Sequence, residues 1–424
     1  MRFVCHKSAL RGEVRIPGSK SHTIRAVAIA GLAAGQSEIR EPLISNDTLA
    51  AVDAYRALGA QIDISADRWT VKGVGGEIRV PDNVIDVRNS GVTLRTALGA
   101  CALLREGAAV LTGDEQIRRR PAGPLVQSLN DLGANVRSTR GSGSAPFVVE
   151  GRLRGGETSI EGTTSQYVTG LLISAPLADG ESRIRVTKLN EAPYVEMTLD
   201  WLRRQGIAFE QDGLTQFRVP GGQRYQPVDR AIPADWSSAT FFLGAGALDG
   251  NDVALLGLDM ADTQGDKAVV DYVAQMGAQV HSRGDWVAVA SRHLTGCDLD
   301  LNATPDALPM MAVLGCFARG TTRLVNVPQA RIKESDRITV MAQELGKLGA
   351  RTKELEDGLI IYESDLRGAE VNGHGDHRVV MALAVAGCAI PGTTVIRGAE
   401  AAAVTFPEFA DCMRAIGARI DVEE

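Results

Sequence analysis

A repeat of about seventy residues constrains this chain more than any other feature. Six times a helix-like run closes on an apolar residue and Gly-Ala, or a near copy, then passes into a short alternating stretch. The instances are Leu58-Gly59-Ala60, Leu132-Gly133-Ala134, Gln205-Gly206-Ile207, Met276-Gly277-Ala278, Leu348-Gly349-Ala350 and Ile416-Gly417-Ala418. Successive glycines lie 74, 73, 71, 72 and 68 residues apart. A second series, Gly35, Gly107, Gly180, Gly250, Gly320 and Gly392, interleaves at 72, 73, 70, 70 and 72. Glycine just past the last periodic apolar residue ends a helix at low steric cost, so each series marks six helix ends. Twelve glycines this regular exceed ordinary helix punctuation, and the chain reads as six copies of one helix–strand–helix–strand unit.

The first helix of each unit is small and apolar on every side: Ala26 to Ala34, Leu94 to Leu104, Val168 to Leu177, Ala239 to Leu248, Met310 to Ala318 and Val379 to Ile390. A helix without a polar face is expected to be buried. Alternating runs such as Ser37 to Arg40, Ser182 to Arg185 and Thr322 to Val325 read as half-buried strands. The second helix is amphipathic, with Leu49, Val52, Tyr55 and Leu58 at helical spacing in Thr48 to Leu58, and Lys267 to Met276 repeating it.

Length and balance exclude several classes. With 424 residues, 44% of them hydrophobic, the chain can bury two or three domain cores. A formal charge of -7, with no basic block beyond Arg118-Arg119-Arg120, argues against nucleic-acid binding. The N-terminus lacks an apolar leader-like run and no uninterrupted apolar stretch is long enough to span a bilayer, so no membrane partner and a cytoplasmic location are expected. Six cysteines without a CxxC pair read as reduced core residues.

Six units divide into two sets of three at the Pro- and Gly-rich stretch Pro220 to Pro227. The expected lobes are residues 19–227, holding repeats one to three, and residues 1–18 with 228–424, holding repeats four to six. A cleft between lobes is the default place for a ligand. The starts of the buried helices carry capping residues, and several add a cation: Lys20, Arg25, Arg95 and Arg378. A positive side chain in a first turn opposes the helix dipole unless an anion compensates it. Helix N-termini reinforced by Lys and Arg make anion sites. The second-helix starts add Arg120-Pro121 and Arg331-Ile332-Lys333-Glu334-Ser335-Asp336-Arg337.

In this light the chain resembles the 3-phosphoshikimate 1-carboxyvinyltransferase family. The resemblance rests on Pro17-Gly18-Ser19-Lys20-Ser21 with Arg25, Asn89-Ser90-Gly91 with Arg95, Arg120-Pro121, Thr164-Ser165-Gln166, Pro305-Asp306-Ala307, Arg331 to Arg337, Asp376-His377-Arg378 and Thr405-Phe406-Pro407-Glu408-Phe409, in family order. It implies an α/β fold, a two-lobed inverted α/β barrel of six βαβαββ units, three per lobe. It assigns Lys20, Asn89, Gly91, Arg120, Gln166, Arg337 and Arg378 to phosphoenolpyruvate. Shikimate 3-phosphate falls to Ser21, Arg25, Thr164, Ser165, Gln166, Asp306 and Lys333. A three-carbon donor bearing a carboxylate and a phosphate needs several charge-assisted donors once desolvated, which bidentate Arg supplies.

The implied reaction moves the enolpyruvyl group to the 5-hydroxyl of the acceptor through a tetrahedral ketal, releasing phosphate. Asp306, Glu334 and Lys20 are the candidates for proton transfer. No cofactor is expected, nor a metal, although His374-Gly375-Asp376-His377 has a metal-like spacing. The expected molecule is a monomer whose lobes close on the acceptor.

Three positions depart from the family pattern: Val92 for a common Thr, Glu191 for a common Ser facing the acceptor phosphate, and Val404 for a Lys near the donor. Gly91, lacking a methyl group, would leave room for glyphosate, which occupies the donor pocket in this family. The alternatives are a carboxyvinyltransferase for another phosphorylated ring alcohol, one for UDP-N-acetylglucosamine, and a two-lobed anion-binding protein without activity. The UDP-sugar family carries a reactive Cys before its Arg-Pro pair, where this chain has Glu115.

Overall fold

The computed structural model describes residues 1–290 and 293–424. Among them are twelve α-helices: α1 (Lys20–Leu32), α2 (Asn46–Ala57), α3 (Gly91–Cys101), α4 (Gly123–Asp131), α5 (Ser165–Ser174), α6 (Ala192–Arg204), α7 (Trp236–Ala247), α8 (Val269–Gln275), α9 (Leu308–Phe317), α10 (Arg337–Lys347), α11 (His377–Ala389) and α12 (Phe409–Ala415). The odd-numbered six are the apolar helices of the repeat, and nearly every residue in them is buried. They begin earlier than the apolar runs suggest, and in all but α9 the added first residues include polar ones. Five of the six Gly-Ala-type glycines have φ between +99° and +111°, and Gly206 has +67°. The second series behaves alike except at Gly180, which is absent from the positive-φ glycines. Its missing side chain instead lets the Arg154 carbonyl approach, since a Cβ there would lie 2.7 Å from that oxygen.

The described strands form six four-stranded sheets with one pattern: a parallel first pair, then two antiparallel neighbours. In the third repeat Gly156–Gly162 pairs parallel with Ser182–Leu189, which pairs antiparallel with Gln216–Val219, and that with Glu210–Asp212. Helices α5 and α6 fill the two connections, giving βαβαββ. The parallel pairs require the crossovers that the helices supply.

The chain separates into two compact units, Gly18–Ile232 and Met1–Pro17 with Pro233–Glu424. The second crossing falls beyond the expected Pro227–Val228. Asp229–Ala231 still belongs to the first repeat, pairing parallel with Glu38 to Arg40. Reciprocally, Arg11–Arg15 joins the fourth repeat beside Asp252–Leu256, and Arg2–His6 completes the sixth between Thr393–Arg397 and Arg419–Glu423.

Each unit has its own core. Residues 18–232 bury Trp69, Trp201, Tyr55 and Tyr225 among the aliphatic side chains of α1, α3 and α5. The other unit gathers Phe241, Phe242, Phe406 and Phe409 with ring centroids 5.9–6.2 Å apart. In the first core α3 and α5 cross nearly backbone to backbone. A Cβ on Gly99 would lie 2.6 Å from the Gly170 carbonyl, and one on Gly170 would lie 2.6 Å from that of Arg95. This crossing sets the N-termini of α3 and α5 side by side. No helix among the described residues is long and apolar enough to cross a membrane.

Candidate active site

In the unit of residues 18–232, the starts of α1, α3 and α5 hold the expected polar residues. Ser19 caps α1, accepting from the His22 amide at 3.5 Å. Lys20 opens the helix and pairs with Asp47 at 3.1 Å. One turn on, Arg25 is 2% exposed. Its guanidinium donates to Thr198 Oγ1 at 2.9 Å, the Ser21 carbonyl at 3.0 Å, Thr169 Oγ1 at 3.2 Å and the Tyr194 carbonyl at 3.0 Å. All four acceptors are neutral, and no carboxylate pairs with Arg25 among the described residues. Burial brings its pKa down from the usual guanidinium range to about 10.

At the start of α3, Gly91 faces three side chains. A Cβ there would meet Arg120 Nη1 at 3.0 Å, Arg95 Nη1 at 3.1 Å and Gln166 Oε1 at 3.1 Å. The missing side chain therefore leaves a small polar nook that brings Gly91, Arg120 and Gln166 together. Arg120 Nη1 also donates to the Asn89 carbonyl at 3.5 Å. The Asn89 side-chain amide donates to Asp114 at 2.6 Å and Gln116 at 2.7 Å. Two groups to which the sequence reading gave no role fix this nook: the Pro121 carbonyl accepts from Arg95 at 2.8 Å and from the Tyr167 hydroxyl at 2.6 Å. A proline after Arg120 signals a rigid turn, whereas its bond to Tyr167 leaves no local trace.

Thr164 caps α5, and both Thr164 and Ser165 bond to Glu191. The Glu191 carboxylate accepts from Thr164 Oγ1 at 3.0 Å, Ser165 N at 3.1 Å and Ser165 Oγ at 2.7 Å.

In the other unit, four of the expected residues meet at Arg337, whose side chain is fully buried. Arg337 donates to Asp376 at 2.8 Å, Asp306 at 2.5 Å and Glu334 at 2.7 Å. Arg378 pairs with Asp306 Oδ2 at 2.9 Å, so one carboxylate bridges the two guanidinium groups. Asp306 sits in a single turn before α9, and Glu334 precedes α10. Burial is the largest influence on Asp306 and opposes its ionisation, and Glu334 opposes it further. Arg378, Arg337 and Lys333 together outweigh them and hold its carboxyl well below the usual range. For Arg337, burial again pulls the other way, yet Asp376, Glu334 and Asp306 leave it firmly protonated.

Asp376 is a residue the sequence reading gave no role of its own. It caps α11 by accepting from the Arg378 amide at 2.9 Å and also takes Ser335 Oγ at 3.0 Å. An Asp before a buried helix was visible as a cap, but not as the counter-ion of Arg337. The dense run from Arg331 to Arg337 splits in two. Arg331 pairs with Asp336 at 2.7 Å and bonds the carbonyls of Leu355 and Glu356, a purely structural brace. Glu334, Ser335 and Arg337 turn to the carboxylate cluster. His374 Nε2 bonds Glu344 at 2.7 Å.

A sequence model of the family described as EPSP synthase (3-phosphoshikimate 1-carboxyvinyltransferase) matches residues 4–413. A 3-phosphoshikimate 1-carboxyvinyltransferase from Acetivibrio thermocellus is 53% identical over 424 residues, covering 100% of both chains. One from Ruminiclostridium cellulolyticum is 49% identical over 416 residues, covering 98% of each. Among solved structures, an EPSP synthase from Acinetobacter baumannii superposes with a TM-score of 0.84 at 27% identity, covering 100% of both chains. The enolpyruvyl transferase NikO from Streptomyces tendae, at 20% identity and a TM-score of 0.76, shares the fold. With its whole length matched in sequence and in fold, this chain belongs to the EPSP synthase family.

Proposed function

We propose that the chain transfers the enolpyruvyl group of phosphoenolpyruvate to the 5-hydroxyl of shikimate 3-phosphate and releases phosphate. The observation that carries this reading is Arg25. A guanidinium buried among neutral oxygens is an expensive cation awaiting an anion, and it stands beside Ser21, Thr169 and Tyr194 where the acceptor's charged groups are expected. The nook at Gly91 suits one end of the donor: two cations and an amide, Arg95, Arg120 and Gln166, converge beside a bare backbone position where an added Cβ would crowd all three. Lys20, Arg337 and Arg378 complete the donor's set of cations, and Ser21, Thr164, Ser165, Gln166 and Lys333 join Arg25 in holding the acceptor.

The chemistry is an addition followed by an elimination. The acceptor oxygen bonds to C2 of phosphoenolpyruvate, its proton leaves to a base, and C3 gains a proton, giving a tetrahedral ketal. The C2–O bond to phosphate then breaks as C3 loses a proton, restoring the double bond. Asp306 is the base for the hydroxyl and Glu334 the carrier at C3, with Lys20 as a second acid. In the free protein Asp306 is a poor base, because Arg337 and Arg378 stabilise its charge. A donor carboxylate that draws Arg337 and Arg378 toward itself weakens that hold and raises the basicity of Asp306. Substrate binding thus arms the base.

The balanced reaction needs only proton transfers, which these side chains supply. The same reading has the chain working as a monomer in the cytoplasm. Phosphate release from phosphoenolpyruvate is the test. Release is expected with shikimate 3-phosphate and not with UDP-N-acetylglucosamine, and release with the sugar nucleotide alone would overturn the assignment.

A further inference from the structure

Glu191 is a carboxylate set directly against two of the donors assigned to the acceptor, Thr164 and Ser165. It is 1% exposed, and its backbone lies in the left-handed region, at φ 58° and ψ 41°. Side chains rarely adopt that conformation, so the surroundings must hold it there. The holding contacts are visible. The Glu191 carbonyl accepts from the Tyr194 amide at 3.0 Å, and neighbouring Asn190 donates from its side chain to the Thr163 carbonyl at 3.0 Å. The carboxylate then takes both hydroxyls of Thr164 and Ser165 and the first amide of α5. These are an anion's ligands, at the positive end of a ten-residue helix. The same turn is tied to the buried cation, because Arg25 donates to the Tyr194 carbonyl.

From this we infer that Glu191 is a built-in competitor for the acceptor's phosphate and sets how strongly the chain prefers a phosphorylated acceptor. The inference rests on the functional reading above. A phosphate that uses Thr164 and Ser165 must turn the Glu191 carboxylate out of three hydrogen bonds, and the displaced charge then repels the newcomer. Glu191 therefore weakens binding of shikimate 3-phosphate without touching the ring contacts that unphosphorylated shikimate would make.

The test is a comparison of two acceptors. Dissociation constants for shikimate 3-phosphate and for shikimate are measured by calorimetry on the wild type, Glu191→Gln and Glu191→Ser, with thermal melts to show that each is folded. The preference for the phosphorylated acceptor is expected to rise on the order of tenfold or more in both variants, about the worth of one charge-assisted hydrogen bond. The KM for phosphoenolpyruvate should stay within about twofold. A capping role alone would lower the melting temperature and leave the preference unchanged. An unchanged or reduced preference in the two folded variants overturns the inference. Turnover of shikimate 3-phosphate by the wild type is read in parallel. If it occurs, the functional reading stands whatever the variants do; if neither wild type nor variants turn it over, the reading falls and takes the inference with it.

Discussion

At the scale of single residues, the molecule accepts two costs where its chemistry needs them. The first is Arg25. A pKa pulled down by burial to about 10 corresponds to a penalty on the order of 3 kcal/mol for keeping it charged in the fold. The sign follows from the direction: the penalty is present at every pH below about 10 and is relieved only above it. Arg25→Met is therefore expected to leave the melting temperature unchanged or higher, while affinity for shikimate 3-phosphate falls about a hundredfold, as loss of a charge-assisted contact set implies. A parallel loss of stability and affinity would count against an anion-binding role. The second cost is the bare backbone at Gly91. Gly91→Ala puts a methyl group 3.0–3.1 Å from Arg120, Arg95 and Gln166, and the KM for phosphoenolpyruvate should rise about tenfold or more with little change in stability. Lys20, Arg120, Gln166, Arg337 and Arg378 were legible as residue types at helix starts. The counter-ions Asp47 of Lys20 and Asp376 of Arg337 were not, because a partner 39 positions away, as Asp376 is from Arg337, leaves no periodic or local mark.

At the scale of elements, the buried helices do two jobs with one segment. Their apolar stretches fill the cores, and the polar residues at or just before most of their first turns make up much of the candidate site. That division explains why the apolar pattern placed the helices correctly but started them late: α1 begins at Lys20, well before the run at Ala26, and α11 at His377. Asp376 shows how the two jobs meet, since it caps α11 and neutralises Arg337. Removing its charge leaves a buried guanidinium short of a partner, so Asp376→Asn should cost about 3–5 kcal/mol in denaturant unfolding at neutral pH. Burial works against ionisation of Asp376, but Arg337 prevails and keeps its pKa below the usual value. A folded-state pKa below the unfolded one stabilises at neutral pH, and that contribution fades as pH falls below about 4. The gap between wild type and Asp376→Asn should therefore narrow on acidification. A gap independent of pH would mean that packing, not charge, is what Asp376 supplies.

At the scale of the whole molecule, six similar units came directly from the spacing of glycines, because a helix end requires a local conformation that few residues accept. The exchange of strands at the two crossings was not legible. Asp229–Ala231 pairs with a strand almost two hundred residues earlier, and Arg2–His6 with the last strand of the chain, through backbone bonds that carry no sequence signature. The proposed function draws on residues of both units, and the closure it calls for predicts that shikimate 3-phosphate lowers the radius of gyration in small-angle scattering; an unchanged radius would speak against closure. The central claim is bond-breaking at the enol carbon, and an isotope reads it directly. Phosphoenolpyruvate carrying oxygen-18 in the bridge between C2 and phosphorus is turned over with shikimate 3-phosphate, and the products are weighed by mass spectrometry. Addition and elimination at C2 sends the heavy oxygen out with the phosphate and leaves the three-carbon unit on the acceptor. Heavy oxygen retained in pyruvate, with no carbon transferred, would mean cleavage at phosphorus and would contradict the account.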